Sequence, residues 1–288
     1  MSRATYLRLG AIALLLMANA GIFYLAFAPK HHGLRVSFID VGQGDSILIQ
    51  GPTGVTMLVD GGPDRSVVRE LPHLMGPLSR RIDIMVETHP DKDHISGLSD
   101  VLENFDVHAF MSPGLPSDTN VYLRLVNAVS NEKGISAYVA HRGMRISLGG
   151  GAYADVLYPD KDVSHLHATN DASIVLHVVY GSTSFMLTGD LPSTIEDTLV
   201  ASVPSASLHS DVLKAGHHGS KYSTDDTWLH AITPSVVVIS AGAGNTYGHP
   251  SLEALARIHK TTARVVSTIE QGTITFESDG SRITESSK

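Results

Sequence analysis

The sequence contains no cysteine among its 288 residues. Disulfides and thiolate metal sites are thereby excluded, so any bound metal must rest on imidazole and carboxylate groups. Charge is sparse as well: 17% of residues are charged against 42% hydrophobic, the balance of a globular core and not of a disordered chain. A basic surplus is also missing. The formal net charge is −8, and removing Arg3, Arg8 and Lys30 from the 21 basic residues leaves 18 against 29 acidic ones over residues 31–288, a net of −11. That argues against a broad nucleic-acid-binding face. It leaves a nuclease open, because divalent cations would offset the acids at a site.

Long hydrophobic runs are absent with one exception. Leu9 to Ala28 carries no formal charge, and Asn19 is its only strongly polar residue. At about 1.5 Å per residue such a helix spans roughly 30 Å, one hydrocarbon core. Arg3 and Arg8 precede it, which puts residues 1–8 in the cytoplasm and the rest outside the cytoplasmic membrane. An uncleaved signal anchor is one reading. A cleaved signal peptide, with Ala18-Asn19-Ala20 as the Ala-x-Ala site, is the other and would release a secreted protein. The apolar run continues past that site, which favours the anchor. Residues 1–30 thus read as the leader and 31–288 as one domain.

After the Pro29-Lys30-His31-His32-Gly33 juncture the pattern becomes strand-rich. Leu34–Asp40, Asp45–Gln50 and Met57–Asp60 read as an antiparallel meander, divided by Val41-Gly42-Gln43-Gly44 and Gly51-Pro52-Thr53-Gly54. Val67–Leu78 reads as a helix interrupted at Pro72, Ile82–Glu87 as a buried strand, and Ile95–Phe105 as a helix after a polar loop. Val107–Met111, Ser136–Ala140 and Ala154–Tyr158 follow as strands, with a helix over Asn120–Lys133. The second half repeats this style without detectable sequence identity. Ser173–Tyr180 and Thr183–Thr188 form a hairpin, Ser210–Lys214 and Val236–Ser240 are strands, and Thr194–Ala201, Asp225–Ile232 and Leu252–His259 are helices. Arg264–Thr268 and Gly272–Glu277 finish the sheet, and the polar tail Asp279–Lys288 is expected to fray. Alternating strands and helices with a meander opening each half predict an αββα sandwich, two sheets face to face with helices outside.

Chemistry concentrates at His89-Pro90-Asp91-Lys92-Asp93-His94, directly after the buried strand. Two divalent ions about 3.5–4 Å apart bind a phosphoryl or carbonyl oxygen and generate hydroxide from water near neutral pH. Such a pair needs ligands from several strand ends and one bridging carboxylate. Alternate residues of an extended loop face the same way, so His89 and Asp91 suit one ion, and Asp93 and His94 a second. Asp190 ends an apolar strand and is a natural bridge; His217 or His218 ends another and would complete the second ion. The other eleven histidines carry no motif.

The loop resembles the His-x-His-x-Asp-His signature of the metallo-β-lactamase superfamily, with Asp91 in place of the second His. Further motifs occur in family order: Ile39-Asp40-Val41-Gly42-Gln43-Gly44-Asp45, Val59-Asp60-Gly61-Gly62, Leu187-Thr188-Gly189-Asp190, Lys214-Ala215-Gly216-His217-His218-Gly219-Ser220 and Asn245-Thr246-Tyr247-Gly248-His249-Pro250. Together, over roughly residues 34–277, they look like the extracytoplasmic hydrolase domain of ComEC-type competence proteins. The resemblance implies an αββα fold and one or two divalent ions at the sandwich edge. It also implies hydrolysis of phosphodiesters, DNA among them. It assigns His89 and Asp91 to the first ion, and Asp93, His94 and one of His217 or His218 to the second, with Asp190 bridging. Asp60 would orient a ligand from behind. Asp93 and His249 carry over as catalytic residues, His249 protonating a leaving oxygen or binding phosphate.

Two departures are visible. Asn170 stands where many superfamily members have a third His, and Ser251 where a second His often follows Gly-His-Pro. Asn170 is a weak neutral ligand, which weakens the first ion. With Asp91 and Asp93 both present the site is oxygen-rich, which moves the expectation from Zn²⁺ towards Mn²⁺. Gln43 and Asp45 either serve the turn or point into the metal cleft; Lys221 and Tyr222 either touch a phosphate or lie on the surface. Two other functions stay open: lactam or thioester hydrolysis on the same fold, and a non-catalytic DNA-binding or DNA-uptake role.

Overall fold

The computed structural model describes residues 2–27 and 33–286. Helix α1 (Arg3–Phe27) contains the apolar leader, and its Arg3–Gly21 stretch is long and apolar enough to cross a membrane. Its described side chains are not buried within the protein. The juncture over residues 29–32 lies outside the described residues.

The folded domain opens with β1 (Leu34–Phe38), β2 (Ile47–Gln50) and β3 (Thr56–Val59), the antiparallel meander expected from the sequence. Helix α2 (Ser66–Met75) runs through Pro72 and stops at Gly76, whose positive φ of 97° ends it. The expected interruption at Pro72 does not occur: Pro72 sits in the second turn, where one lost N–H bond is tolerated because Val67 and Leu71 anchor the helix in the core. Strand β4 (Arg81–Val86), helix α3 (Lys92–Asn104), strand β5 (Asp106–Ser112), helix α4 (Asn120–Asn131) and strand β6 (Ser136–Val139) follow. Helix α3 begins three residues before the expected start. Asp93 and His94 therefore lie in its first turn and not in an extended loop.

The second half comprises β7 (Arg145–Gly149), β8 (Ala152–Tyr158), β9 (Val175–Tyr180), β10 (Thr183–Leu187), α5 (Ser193–Ser202), β11 (Val212–Lys214), α6 (Asp226–Ile232), β12 (Val236–Ile239), α7 (Leu252–Ile258), β13 (Arg264–Ser267), α8 (Thr268–Gln271), β14 (Ile274–Ser278) and β15 (Ile283–Ser286). The strands form an eight-stranded sheet, ordered β15-β14-β1-β2-β3-β4-β5-β6, and a seven-stranded sheet, ordered β13-β12-β11-β10-β9-β8-β7.

Two expectations are corrected here, and one strand is added. Strand β14 does not finish the second sheet: it pairs antiparallel with β1 in the first, Val36 opposite Phe276. The tail is not frayed through residue 286, because β15 pairs with β14, Phe276 opposite Glu285. Strand β7 adds to the expected strands: Arg145-Ile146-Ser147-Leu148 alternates exposed and buried along the chain.

Layering follows from which side each apolar residue faces. Phe38, Ile47, Val59 and Phe276 of one sheet meet Leu176, Phe185 and Val238 of the other in the central core. A second cluster, with Trp228, Leu199 and Ile258, packs α5, α6 and α7 on the seven-stranded sheet. A third, with Leu71, Leu98 and Leu125, packs α2, α3 and α4 on the eight-stranded sheet. The architecture is the predicted αββα sandwich. The ends of β4, β10 and β11 carry the candidate residues to one edge.

Candidate metal centre

The loop after β4 and the first turn of α3 supply His89, Asp91, Asp93 and His94; the ends of β10 and β11 supply Asp190 and His218. Asp190 is the meeting point. Its carboxylate lies 3.3 Å from His94 Nε2, 3.4 Å from His218 Nε2, 3.6 Å from His217 Nε2 and 4.0 Å from His89 Nε2. Asp93 reaches His218 Nε2 at 3.2 Å, and Asp91 reaches His89 Nε2 at 3.6 Å. Four overlapping sets bring possible donor atoms within 4.8 Å of one another, two of them built on Asp45 behind the cluster and two facing inward: His89, His94 and Asp190, and Asp93, His94 and His218. His94 therefore belongs to both inward-facing sets, whereas the sequence suggested a division between the first and second halves of the loop.

The tautomers are set from behind. His94 Nδ1–H donates to Asp60 Oδ2 at 2.8 Å, and His218 Nδ1–H donates to the Ser240 carbonyl at 2.9 Å. The Thr88 hydroxyl donates to Asp60 Oδ2 at 2.7 Å, so its lone pair is left to accept His89 Nδ1–H at 3.0 Å. Each ring thus turns Nε2 inward, the atom that offers its lone pair once any proton there is displaced, the arrangement in which an outer partner orients a metal-binding histidine. Those three Nε2 atoms and Asp190 Oδ1 are buried and lack hydrogen-bond partners. Orphaned donors of this type and burial fit divalent ions.

Asp60 lies behind His94 and Thr88 and hydrogen-bonds both. Its φ of 59° is left-handed, as are those of His217 (48°) and His218 (56°). Non-glycine residues persist in that region only where their surroundings hold them, and here they aim ligands. Asp45 joins the cluster from behind as well: Lys214 Nζ is 2.6 Å from its Oδ2, and His218 Nδ1 is 3.5 Å from its Oδ1. Burial opposes the charge on Asp45, but Lys214 and His218 bring its pKa down to about 2. Burial likewise opposes charge on His94 and His218. Asp190 with Asp60, and Asp190 with Asp45, outweigh it and lift both well above an ordinary histidine. Asp190 falls well below the carboxylate range because His218 and His94 overcome its own burial. Divalent ions must compete with the protons these groups retain.

The remaining sequence-selected residues take different places. Asn170 Nδ2 lies 3.3 Å from His217 Nδ1, which brings it to the cluster's rim, while its Oδ1 is buried without a partner. The ring of His249 is 5.2 Å from that of His217 and 6.4 Å from that of His218. Asn245 fixes it, accepting the His249 N–H at 3.0 Å. Burial, then His217 and His218, lower its pKa, so the ring is neutral near pH 7. Among the described residues Gln43 contacts the loop before His249 and not the metal cluster. Its Oε1 accepts the Gly242 N–H at 3.1 Å and ties down the loop that leads to His249. Lys221 is exposed, its ammonium 5.0 Å from the ring centre of the exposed Tyr222.

Sequence reasoning missed two supports. Lys214 is fully buried and also donates to the Gly189 carbonyl at 2.8 Å, clamping the residue before Asp190. A lysine in the otherwise apolar Val212-Leu213-Lys214-Ala215 was the available signal. Glu196 on α5 accepts the Thr224 and Asp225 backbone N–H groups at 2.7 and 3.1 Å and secures the loop after His218. Nothing local distinguishes it from a surface helix residue.

A family model described as the metallo-beta-lactamase superfamily matches residues 39–127, the stretch that holds Asp45, Asp60, His89, Asp91, Asp93 and His94. ComE operon protein 3 of Bacillus subtilis is 29% identical over 263 residues, covering 84% of this chain and 33% of that protein. Competence protein ComA of Neisseria gonorrhoeae is 27% identical over 266 residues, covering 92% of this chain and 35% of that protein. The chain spans about a third of the length of these curated relatives. A metallo hydrolase from the archaeon Ignicoccus hospitalis is similar in structure, with a TM-score of 0.55 and 16% identity over 85% of this chain and 99% of that one.

Proposed function

We propose that this chain, which carries a metallo-β-lactamase superfamily domain, is a divalent-metal-dependent phosphodiesterase held at the outer face of the cytoplasmic membrane by α1. The observation that carries the reading is the convergence of three inward-facing Nε2 atoms on the buried Asp190 carboxylate. His89, His94, Asp190, Asp93 and His218 would hold the ions, with Asp91 and His217 at the margin. Bound divalent ions supply Lewis-acid stabilisation of phosphoryl oxygens and hydroxide near neutral pH.

The chain's own residues do the rest. Asp60, Thr88 and Ser240 fix the three imidazoles in one tautomer, so little reorganisation is needed. His249, neutral and beside His217, presents an N–H to a phosphate or leaving oxygen at the open side. The competence relatives make DNA the first natural phosphodiester to test. The net charge of −8 favours turnover over tight, sequence-independent retention of DNA.

The test is hydrolysis of a bis-aryl phosphodiester and of single- and double-stranded DNA by the full chain in non-ionic detergent, with Mn²⁺, Zn²⁺ or neither. Elemental analysis runs in parallel. Metal-dependent turnover supports the reading. Bound metal with nitrocefin turnover and no diester cleavage would move it to lactam hydrolysis. Salt-dependent DNA binding without cleavage would move it to an accessory DNA-uptake role.

A further inference from the structure

A second polar anomaly lies outside the metal cluster. Along β4, Val86 enters the core between the sheets, whereas Met85 faces the helical layer. Alternation carries Glu87 to that same helical side, where an apolar residue would pack. Glu87 is nevertheless only 1% exposed, and its Oε1 has no hydrogen-bond partner. It opens onto a cavity of about 470 Å³ between the end of the eight-stranded sheet and α4. The body of that cavity is apolar, with Phe110, Val126 and Val129, and is bordered by Tyr122 and Tyr138. Glu132 stands on its wall, and among the described residues no Lys, Arg or His lines it.

A buried polar oxygen without a partner is destabilising and calls for a donor. The lining hydroxyls of Ser112, Ser130, Tyr122 and Tyr138 leave Glu87 Oε1 without a hydrogen bond, and the acidic wall disfavours an anion. Two tyrosine rings and an aliphatic floor suit a cation attached to an apolar body. We propose that this cavity is a binding site for a small organic ammonium ion of the aryl-alkyl amine class, with its N–H donors directed at Glu87 and its ring among Phe110, Val126 and Val129. The site is separate from the proposed hydrolysis and stands or falls without it.

Calorimetric titration of the full chain in non-ionic detergent at about pH 8.5, where Glu87 is ionised and the amine still protonated, tests this, with 2-phenylethylamine as probe and 2-phenylethanol as its uncharged counterpart. Protein-free micelles give the partitioning background. Saturable one-to-one binding of the amine is expected, with the alcohol markedly weaker. Glu87→Gln should weaken the amine about thirtyfold or more, the loss typical of a buried charge-assisted partner. Glu87→Met fills part of the cavity and removes the orphan acid; it should abolish amine binding while melting no lower than the parent, which separates lost recognition from lost folding. No saturable binding by the parent up to about 10 mM, equal affinity for amine and alcohol, or unchanged amine binding in Glu87→Gln or Glu87→Met would each overturn the proposal.

Discussion

At the scale of single residues, the centre depends on groups that touch no substrate. Asp60 receives the Thr88 N–H at 2.8 Å and His94 Nδ1 at 2.8 Å, so one carboxylate fixes both the loop and a ligand. Asp60→Asn keeps the size and tolerates the left-handed φ of 59°, but loses the charge. Metal affinity is expected to fall about 10–100-fold, measured by competition with a chelating dye. Unaltered affinity would remove Asp60 from the orienting role. Glu196 gives a different readout. Burial raises its pKa to about 8 against the two N–H bonds that favour its charge, and burial with Asp60 nearby also raises Glu87 to about 8. For an acid whose folded pKa exceeds its unfolded value, the native state holds more protons between the two. Stability therefore falls as pH rises from about 4.5 to about 8, by up to about 1.4 kcal/mol per pH unit for each such group. Urea unfolding of the metal-free protein across that window should show a shallower fall for Glu196→Gln than for the parent. Parallel slopes would show that Glu196 is ionised throughout.

At the scale of elements, α3 is the lever that sets the site. Its Gly97 lies so close to the β3–α2 connection that an added Cβ would stand 2.0 Å from the Gly61 carbonyl oxygen and 2.6 Å from that of Asp64. Those obstacles are backbone and cannot rotate away. Gly97→Ala must therefore push the helix outward, at a cost of about 1–3 kcal/mol, and carry Asp93 and His94 with it. Denaturant unfolding should report that loss together with weakened metal binding; a stable variant with intact affinity would show that α3 moves freely of the cluster. The same element shows what sequence could reveal. The loop His89 to His94 was legible because ligands crowd into six residues beside an apolar strand. Its division between two ions was not, since an extended loop was assumed and helix α3 in fact begins at Lys92. Alternation found the meander and the hairpin. It could not assign β14 to the first sheet, because pairing with β1 spans nearly the whole domain and leaves no local mark. Nor could it mark β15, a polar edge strand held by backbone bonds to β14. Glu196 and Lys214 escaped for a related reason: their burial is decided by partners distant in the chain.

At the scale of the whole molecule, the centre is a joint between layers. His89, Asp91, Asp93 and His94 belong to the eight-stranded sheet and its helix α3, whereas Asp190, His217 and His218 belong to the seven-stranded sheet. The central core joins the same two layers through apolar contact. Ions held by donors from both sheets would add a second join that the unfolded chain does not possess. Binding to the native state alone stabilises it by about 4 kcal/mol when free metal exceeds its dissociation constant 1,000-fold. For a domain of this size each kcal/mol moves the melting temperature by roughly 2–4 °C. Exhaustive chelation of the metal-loaded chain should therefore lower its melting temperature by about 8 °C or more, and readdition of Mn²⁺ or Zn²⁺ should restore it. Asp190→Asn gives the internal control, because it weakens the one carboxylate that all four imidazoles approach. Its melting temperature should respond little to chelator. If the parent melts at the same temperature with and without metal, the two sheets are held by their apolar core alone, and ions at this edge would serve chemistry without joining the layers.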